Sequence, residues 1–173
     1  MKRWVALVIA LATAASAQEY KIGDRGPAGG IVFHDKGSTT EGWRWLEAAP
    51  SDLGPAAWNN GKNLQLETKT EVGSGEANTA LIVAAQGEGR YAAKLCADLS
   101  LGGCDDWFLP SKDELELLLS VLRAKAPEEV GTGWWWSSSQ AQFYESWGQS
   151  RSEGKGFTRA KGASLWIRAV RSF

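Results

Sequence analysis

The segment from residue 140 to 161 carries the side chains best suited to bind a ligand. It combines aromatic rings, amides and cations, which stack on and hydrogen-bond to a polar or anionic molecule. The candidate ligand-binding residues are Gln140, Gln142, Tyr144, Trp147, Gln149, Arg151, Arg159 and Lys161. The alternative is an ordinary polar surface of a β-sheet.

Catalytic chemistry has little support. The single histidine, His34, stands beside Asp35 and is a candidate base, but no motif places a nucleophile for it. We therefore predict no catalytic residue and no enzyme activity. A hydrolase that uses a carboxylate or His34 in a cleft is the less favoured alternative.

Metal chemistry is limited by the residue counts. One histidine and two cysteines cannot complete the usual tetrahedral zinc site, so we predict no metal site of that type and no cofactor. Calcium stays open at Asp105 and Asp106, because it prefers oxygen ligands. The alternative for Asp106 is a tight turn in which its carboxylate accepts backbone N–H groups.

The first 17 residues have the layout of a secretory signal peptide. Lys2 and Arg3 precede an apolar run over residues 5–12, and residues 15–17 are the small set Ala-Ser-Ala. The run is shorter than the about 20 apolar residues that span a bilayer. Gln18, rather than a lipid-bearing cysteine, follows the cleavage site. We predict export to the periplasm or the exterior, without a lipid anchor or a membrane span.

The remainder, residues 18–173, has the length of one domain. Its two cysteines, Cys96 and Cys104, are separated by seven residues. In an oxidising compartment such a pair most simply forms a local disulfide, and two free thiols are the alternative.

Charge is unevenly distributed along this domain. Residues 18–149 carry 11 Lys or Arg against 19 Asp or Glu, whereas residues 150–173 carry six basic residues and Glu153 alone. The basic end is either a patch for an acidic partner or a set of cations that neutralises the acidic body. We favour neutralisation.

Apolar periodicity predicts an α+β fold with strands first, helices next and strands last. Two strands, over 30–33 and 42–47, are expected to form a hairpin. Two short helices follow over 78–85 and 90–99. The capping box Ser111-Lys112-Asp113-Glu114 begins a third, with leucines on one face. The late strands are expected over 134–137, 144–147 and 165–170.

The sequence contains ten tryptophans, which are suited either to stack on sugars or to fill a core. Trp43, Trp45, Trp107 and Trp136 are expected in the core, because they lie in alternating or motif-like segments. Those least constrained by pattern, and so the candidates for exposure, are Trp58, Trp134 and Trp147.

Five segments together resemble the C-terminal domain of the Legionella collagen-like protein and its bacterial paralogues. They are GPAGGIVF at 26–33, GWRWLEAAP at 42–50, DWFLPS followed by Glu114-Leu115 at 106–115, WSSS at 136–139 and VRSF at 170–173. The resemblance covers nearly the whole of residues 18–173. It implies a C-type-lectin-like fold with paired terminal strands, a few short helices and long recognition loops.

The same resemblance implies an adhesin-like role, including binding of sulfated glycosaminoglycans. The chain departs from the adhesin because it has no collagen stalk, and it lacks the Glu-Pro-Asn or Gln-Pro-Asp motif of calcium-dependent lectins. We therefore expect a non-enzymatic module that binds a glycan or a protein surface outside the cytoplasm, with no nucleic-acid partner. A structural part of an envelope assembly, joined through exposed tryptophans, is the alternative.

Overall fold

The computed structural model describes residues 18–173, so the predicted signal peptide lies outside the described residues. The strands are β1 (Ile31–Asp35), β2 (Trp45–Ala48), β3 (Pro55–Ala56), β4 (Trp134–Gln140), β5 (Glu145–Ser150), β6 (Gly156–Ala160), β7 (Leu165–Trp166) and β8 (Val170–Ser172). The helices are α1 (Gly75–Gln86), α2 (Ala92–Ala97) and α3 (Lys112–Lys125), with short 3-10 turns at Thr40–Gly42 and Pro127–Glu129. This order confirms the α+β prediction. None of the described helices has the length and apolar character needed to cross a membrane.

The strands form two sheets. The smaller has the order β1-β2-β8 and is antiparallel throughout. The larger has the order β3-β7-β4-β5-β6, and only the β4–β7 contact is parallel. The predicted early hairpin is confirmed as β1 and β2, with Ile31 opposite Ala48.

The larger sheet separates two hydrophobic clusters. Successive residues of a strand face opposite sides, and in β4 the buried Trp135 and Trp136 enter different clusters. Trp136 packs in the cluster that contains residues of α1 and α2, such as Ile82. Trp135 packs in the cluster with the α3 leucines. The sheet is therefore covered on both faces around β4.

Helix α3 begins as the capping box predicts. The Ser111 Oγ accepts the N–H of Glu114 at 3.3 Å, and the Glu114 carboxylate accepts the N–H of Ser111 at 2.7 Å. The same carboxylate also accepts the N–H groups of Gly73 at 2.7 Å and Gly75 at 3.3 Å. Burial raises the pKa of Glu114, and these N–H donors oppose the rise. This side chain joins the beginnings of α1 and α3.

Three features of the strand prediction are wrong or incomplete. The segment 165–170 is not one strand, because β7 belongs to the larger sheet and β8 to the smaller one. Strands β3 and β6 were not predicted. Strand β3 has only two residues, and β6 is a polar stretch that begins with glycine, so neither gives a clear periodic signal. The last strand pairs with β2 rather than with the first strand.

The tryptophan predictions divide by environment. Trp45, Trp107 and Trp136 are buried as expected, and Trp43 is only partly buried. The prediction of exposure is right for Trp134 and wrong for Trp58, which is fully buried. Its Nε1 donates to the Ser137 carbonyl oxygen at 2.8 Å, so this buried hydrogen bond holds the indole in the core.

A buried ion pair connects the start and the end of the described chain. The Glu47 carboxylate accepts a bond from Arg171 Nη1 at 2.8 Å and from the N–H groups of Ala28 and Gly30 at 3.1 and 3.2 Å. Arg171 also donates to both oxygens of Asp106, at 2.6 and 2.7 Å. The pair lies between β2 and β8 and holds the 26–30 turn against them.

Glycine is required where this turn meets Glu47. A Cβ on Gly26 would lie 2.3 Å from Glu47 Oε2, and a Cβ on Gly30 would lie 2.1 Å from the Ala48 carbonyl oxygen. Real Cβ atoms do not approach so closely, so packing requires glycine at positions 26 and 30. Gly29 has no such contact and is favoured instead by its positive φ of 81°.

The two cysteines are free thiols in the structure, in place of the expected disulfide. Cys96 is fully buried on α2, and burial raises the pKa of its thiol. Cys104 is partly exposed in the turn that follows, where its N–H donates to the Leu101 carbonyl oxygen at 3.1 Å.

The buried pair yields a stability prediction. Replacing Glu47 by Gln removes the buried anion, while Arg171 keeps Asp106 as a partner, so the expected cost is that of lost charge-assisted hydrogen bonds, about 1.5–3 kcal/mol of unfolding free energy. Urea denaturation of Glu47→Gln is expected to show a loss in this range. The matched control is Glu88→Gln, because the Glu88 side chain is 93% exposed and its replacement should leave the midpoint unchanged. Equal midpoints for the two variants would contradict the role assigned to Glu47.

Candidate ligand-binding site

The exposed aromatic side chains belong to one sheet, although Trp166 is the register partner of Trp135 and therefore faces away from Trp134. Within residues 18–173, the large aromatic residues that are exposed are Trp134, Phe143, Tyr144 and Trp166, with relative exposures of 42%, 42%, 64% and 40%. All four belong to the larger sheet or to its β4–β5 turn. Aromatic rings left in water on a rigid sheet mark a binding surface more strongly than scattered aliphatic residues do.

Three of the side chains on this sheet form a continuous group, which we call the aromatic platform: Trp134, Phe157 and Arg159. The rings of Trp134 and Phe157 lie 6.2 Å apart, edge to face. The Arg159 guanidinium carbon lies 5.6 Å from the Trp134 ring centre and 5.4 Å from that of Phe157. A cation at such distances is attracted by the ring faces.

The sheet register places this group on one face. Phe157 is opposite Gly148, Arg159 is opposite Ser146, and Trp134 is opposite Ser150. Gly148 is required there, since a Cβ at this position would approach the Phe157 ring to 2.8 Å. The small residues of β5 therefore leave room for the large side chains of its two neighbours.

The β4–β5 turn adds a second exposed group. The Phe143 and Tyr144 rings meet edge to face at 4.6 Å, and Gln142 beside them is exposed. The turn is closed by backbone bonds between Gln142 and Glu145, at 3.0 and 3.2 Å. Tyr144 and Gln142, both predicted site residues, are accessible to a ligand here.

Arg151 was predicted to bind ligand, and the structure makes it part of the interior. Its Nη1 lies 3.0 Å from Asp52 Oδ2, and its Nε donates to the Val130 carbonyl oxygen. The guanidinium carbon lies 4.3 Å from the Trp135 ring centre. Burial lowers the pKa of Arg151, and Asp52 opposes this effect. With its donors used internally, Arg151 is a structural residue.

Lys161 is also structural rather than ligand-facing. Its buried ammonium group donates to the Leu64 carbonyl oxygen at 2.9 Å, and to Gln140 Oε1 and the Phe143 carbonyl oxygen at 2.8 Å each. These are the three donors that an ammonium group has. Lys161 thus fixes the β4–β5 turn from below, and Gln140 belongs to the same internal network.

The other predicted residues divide in the same way. Gln149 is buried, and its Nε2 donates to the Gly154 carbonyl oxygen at 2.7 Å. Trp147 is partly buried beneath Lys112, whose Nζ lies 5.6 Å from the ring centre. Of the eight predicted residues, the structure leaves Gln142, Tyr144 and Arg159 exposed.

Sequence reasoning missed Phe143 and Phe157 at this surface and Trp166 on the other face of the sheet. Phe143 and Phe157 follow Gln142 and Gly156, so their neighbours gave no amphipathic pattern. Trp166 lies between Leu165 and Ile167 in an apolar segment that gave no sign of exposure. Trp134 alone carried a usable signal, because it opens a strand directly after Gly133.

A separate groove of about 560 Å³ contains His34. Its wall includes Trp43, Lys69, Glu71 and Ser74. Burial lowers the pKa of His34, so the neutral imidazole is favoured, although Asp35 opposes this effect. The Ser74 hydroxyl donates to the Glu71 carbonyl oxygen at 2.6 Å, so its proton is directed away from the imidazole. The groove therefore offers a polar wall rather than an activated serine.

Of the two aspartates considered for calcium, Asp106 is held in an ion pair with Arg171. Arg171 holds both Asp106 oxygens, and this pairing lowers the pKa of Asp106. Among residues 18–173, no group of three or more His, Cys, Asp or Glu side chains is arranged to hold a metal ion.

Comparison of the sequence with protein-family models gave no match, and comparison with curated proteins gave none. The candidate site is therefore described from its own geometry.

The buried ammonium group yields a pH prediction. Burial lowers the pKa of Lys161 to about 8, against about 10.4 in an unfolded chain. The folded state therefore binds this proton less tightly, and the contribution of Lys161 to the free energy of unfolding rises as pH increases from about 8 to about 10.4. The difference in unfolding free energy between wild type and Lys161→Met should increase over this window in urea titrations. A difference independent of pH would contradict it.

Proposed function

We propose that this protein is an exported, non-enzymatic binding module that recognises a glycan through the aromatic platform and the neighbouring β4–β5 turn. The observation that carries the proposal is the aromatic platform, in which Arg159 contacts the rings of Trp134 and Phe157 on one face of the larger sheet. The exposed rings of Phe143 and Tyr144 lie in the turn of the same sheet. A sugar ring presents C–H groups to an aromatic face and hydroxyls to amide or cationic side chains, which this surface supplies in Gln142 and Arg159.

The charges near the platform favour a neutral glycan or one with an isolated acidic group. Four of the six cations in residues 150–173 are buried: Arg151, Lys161, Arg168 and Arg171. Arg159 remains at the platform, and Lys155 is exposed in the turn before β6. A sulfated polymer such as heparin is best held by several exposed cations together. The sulfated glycosaminoglycan expected from the resemblance is therefore the less favoured ligand.

The family and the cellular location belong to the same proposal. A C-type-lectin-like domain with late strands that carry recognition is consistent with an α+β fold whose exposed rings come from residues 134–166. The leader-like residues 1–17 support secretion or a periplasmic location. A module without enzyme activity fits a surface of rings and amides on a sheet.

The first test measures binding to an array of neutral and sulfated glycans, followed by calorimetric titration of the tightest hit. Trp134→Ala is expected to weaken binding about tenfold, which equals ~1.4 kcal/mol, because a stacking face is lost. Arg159→Gln should weaken it about threefold, as expected for an exposed cation–π or polar contact. The control Lys155→Gln makes the same charge change in the turn before β6 and should bind like wild type.

The result that would overturn this assignment is specific. Wild-type affinity in Trp134→Ala, with the fold intact by circular dichroism, would exclude the platform. Heparin binding that falls steeply with salt and is lost equally in Arg159→Gln and Lys155→Gln would favour a diffuse anion-binding surface, because salt screens exposed charges. Hydrolysis of an array glycan that is lost in His34→Ala would instead favour the enzyme alternative.

A further inference from the structure

Strand β6 forms an edge of the larger sheet, where it pairs with β5. Two backbone bonds at the ends of this pairing show which residues of β6 bond to β5. The Lys161 N–H donates to the Tyr144 carbonyl oxygen, and the Ser150 N–H donates to the Lys155 carbonyl oxygen, at 2.9 Å each. Bonded positions alternate along an antiparallel strand. Residues 157 and 159 therefore bond to β5, whereas Gly156 and Thr158 direct their N–H and C=O groups outward. Ala160 directs its N–H outward, and its carbonyl oxygen accepts the Ala163 N–H at 2.9 Å.

Strand β6 contains no proline, lysine or bulge, and its one charged residue, Arg159, points to the platform face. Exposed edges are commonly blocked by proline, by lysine or by a bulge, and β6 has the sequence Gly-Phe-Thr-Arg-Ala with a regular five-residue register. Its residues on the face opposite the platform are Gly156, Thr158 and Ala160, whose side chains are absent or small. A second strand can approach without a steric obstacle.

We propose that β6 pairs with β6 of a second copy of this chain, antiparallel and centred on Thr158. A two-fold axis at this residue places Thr158 opposite itself, Gly156 opposite Ala160 and Phe157 opposite Arg159. Thr158 therefore exchanges both of its backbone bonds with Thr158 of the other copy, and each Ala160 N–H donates to the Gly156 carbonyl oxygen that faces it. The two larger sheets become one continuous sheet.

The side chains favour this register over its neighbours. Residues directly opposite in an antiparallel pair have Cβ atoms about 4.5–5.5 Å apart and point to the same face. Arg159 of each copy then meets Phe157 of the other, which repeats across the axis the cation–π contact that each copy already makes within itself at 5.4 Å. A shift of the two-fold axis to residue 157 would place Phe157 opposite Phe157 of the other copy. A shift to residue 159 would place the two Arg159 side chains opposite each other, and facing arginines repel.

The pairing has a consequence for binding. It places the aromatic platforms of both copies on the same face of the joined sheet, side by side across the axis. Two linked sites raise the avidity for a ligand with repeated units without any new contact per site. The dimer does not depend on the proposed glycan ligand, because it follows from the edge strand alone.

The experiment uses the protein expressed with its own first 17 residues and purified from the exporting host, with mass measured by light scattering and sedimentation. Wild type is expected to be a dimer that dissociates on dilution. Thr158→Lys and Thr158→Glu are each expected to be monomers, because the axis places two like charges opposite each other. Mixed in equal amounts, the two variants should form a heterodimer, since opposite charges then face across the axis.

The matched control is Thr132→Lys, which adds the same charge at an exposed turn residue outside β6 and should leave the dimer intact. A wild-type protein that stays monomeric up to about 1 mM, or a mixture of the two Thr158 variants that fails to associate, would overturn the proposal. Circular dichroism of both variants separates misfolding from loss of pairing. Per-site glycan affinity measured on the Thr158→Lys monomer separates failure of the dimer from failure of the platform.

Discussion

The buried pair of Glu47 and Arg171 is the contact on which the rest of the structure depends. It joins β2 to β8, so it brings together residues 124 positions apart, and each partner has a further task. Glu47 accepts the N–H groups of the 26–30 turn, and Arg171 holds Asp106 ahead of Trp107. A buried charge that lacks its partner is strongly unfavourable. The elements that carry Glu47 and Arg171 must therefore assemble together.

This network also gives a physical explanation for the five motif-like segments of the sequence. Four of the five segments supply members of one contact: the glycines at 26 and 30, the glutamate at 47, the aspartate at 106 and the arginine at 171. The glycines are required because a side chain would collide with Glu47 or with the Ala48 carbonyl group. The role of these segments is to hold the two ends of the fold together. They carry no information about the ligand, which must come from the exposed surface.

The sequence predicted well those elements whose cause is local. Helix α3 follows from its capping box, and the β1–β2 hairpin follows from alternating apolar residues. The split of 165–170 between two sheets could not be predicted, because its residues are apolar apart from Arg168 and the change of partner is decided by Asp52 and Ala49. Arg168 contacts both, at 2.8 and 2.6 Å, and these partners are more than 100 residues away.

The candidate site was harder to predict, because its partners decide whether a cationic side chain is buried or exposed. Arg151, Arg159 and Lys161 have the same composition-based case for binding a ligand, and they lie within eleven residues of one another. In the folded chain Arg151 meets Asp52, and Lys161 meets three oxygens from separate segments, whereas Arg159 meets only rings. Buried cations here neutralise the acidic body, which agrees with the favoured explanation of the basic C-terminal end.

The buried cations nevertheless act on the exposed surface, since they determine how rigid it is. Lys161 fixes the turn that carries Phe143 and Tyr144, and Arg151 lies 5.9 Å from the Trp166 ring centre while its guanidinium is held by Asp52. A binding group that is ordered before the ligand arrives loses less conformational entropy on binding. The interior contacts that occupy Arg151 and Lys161 therefore also order the β4–β5 turn, and they leave Arg159 as the exposed cation beside Trp134 and Phe157.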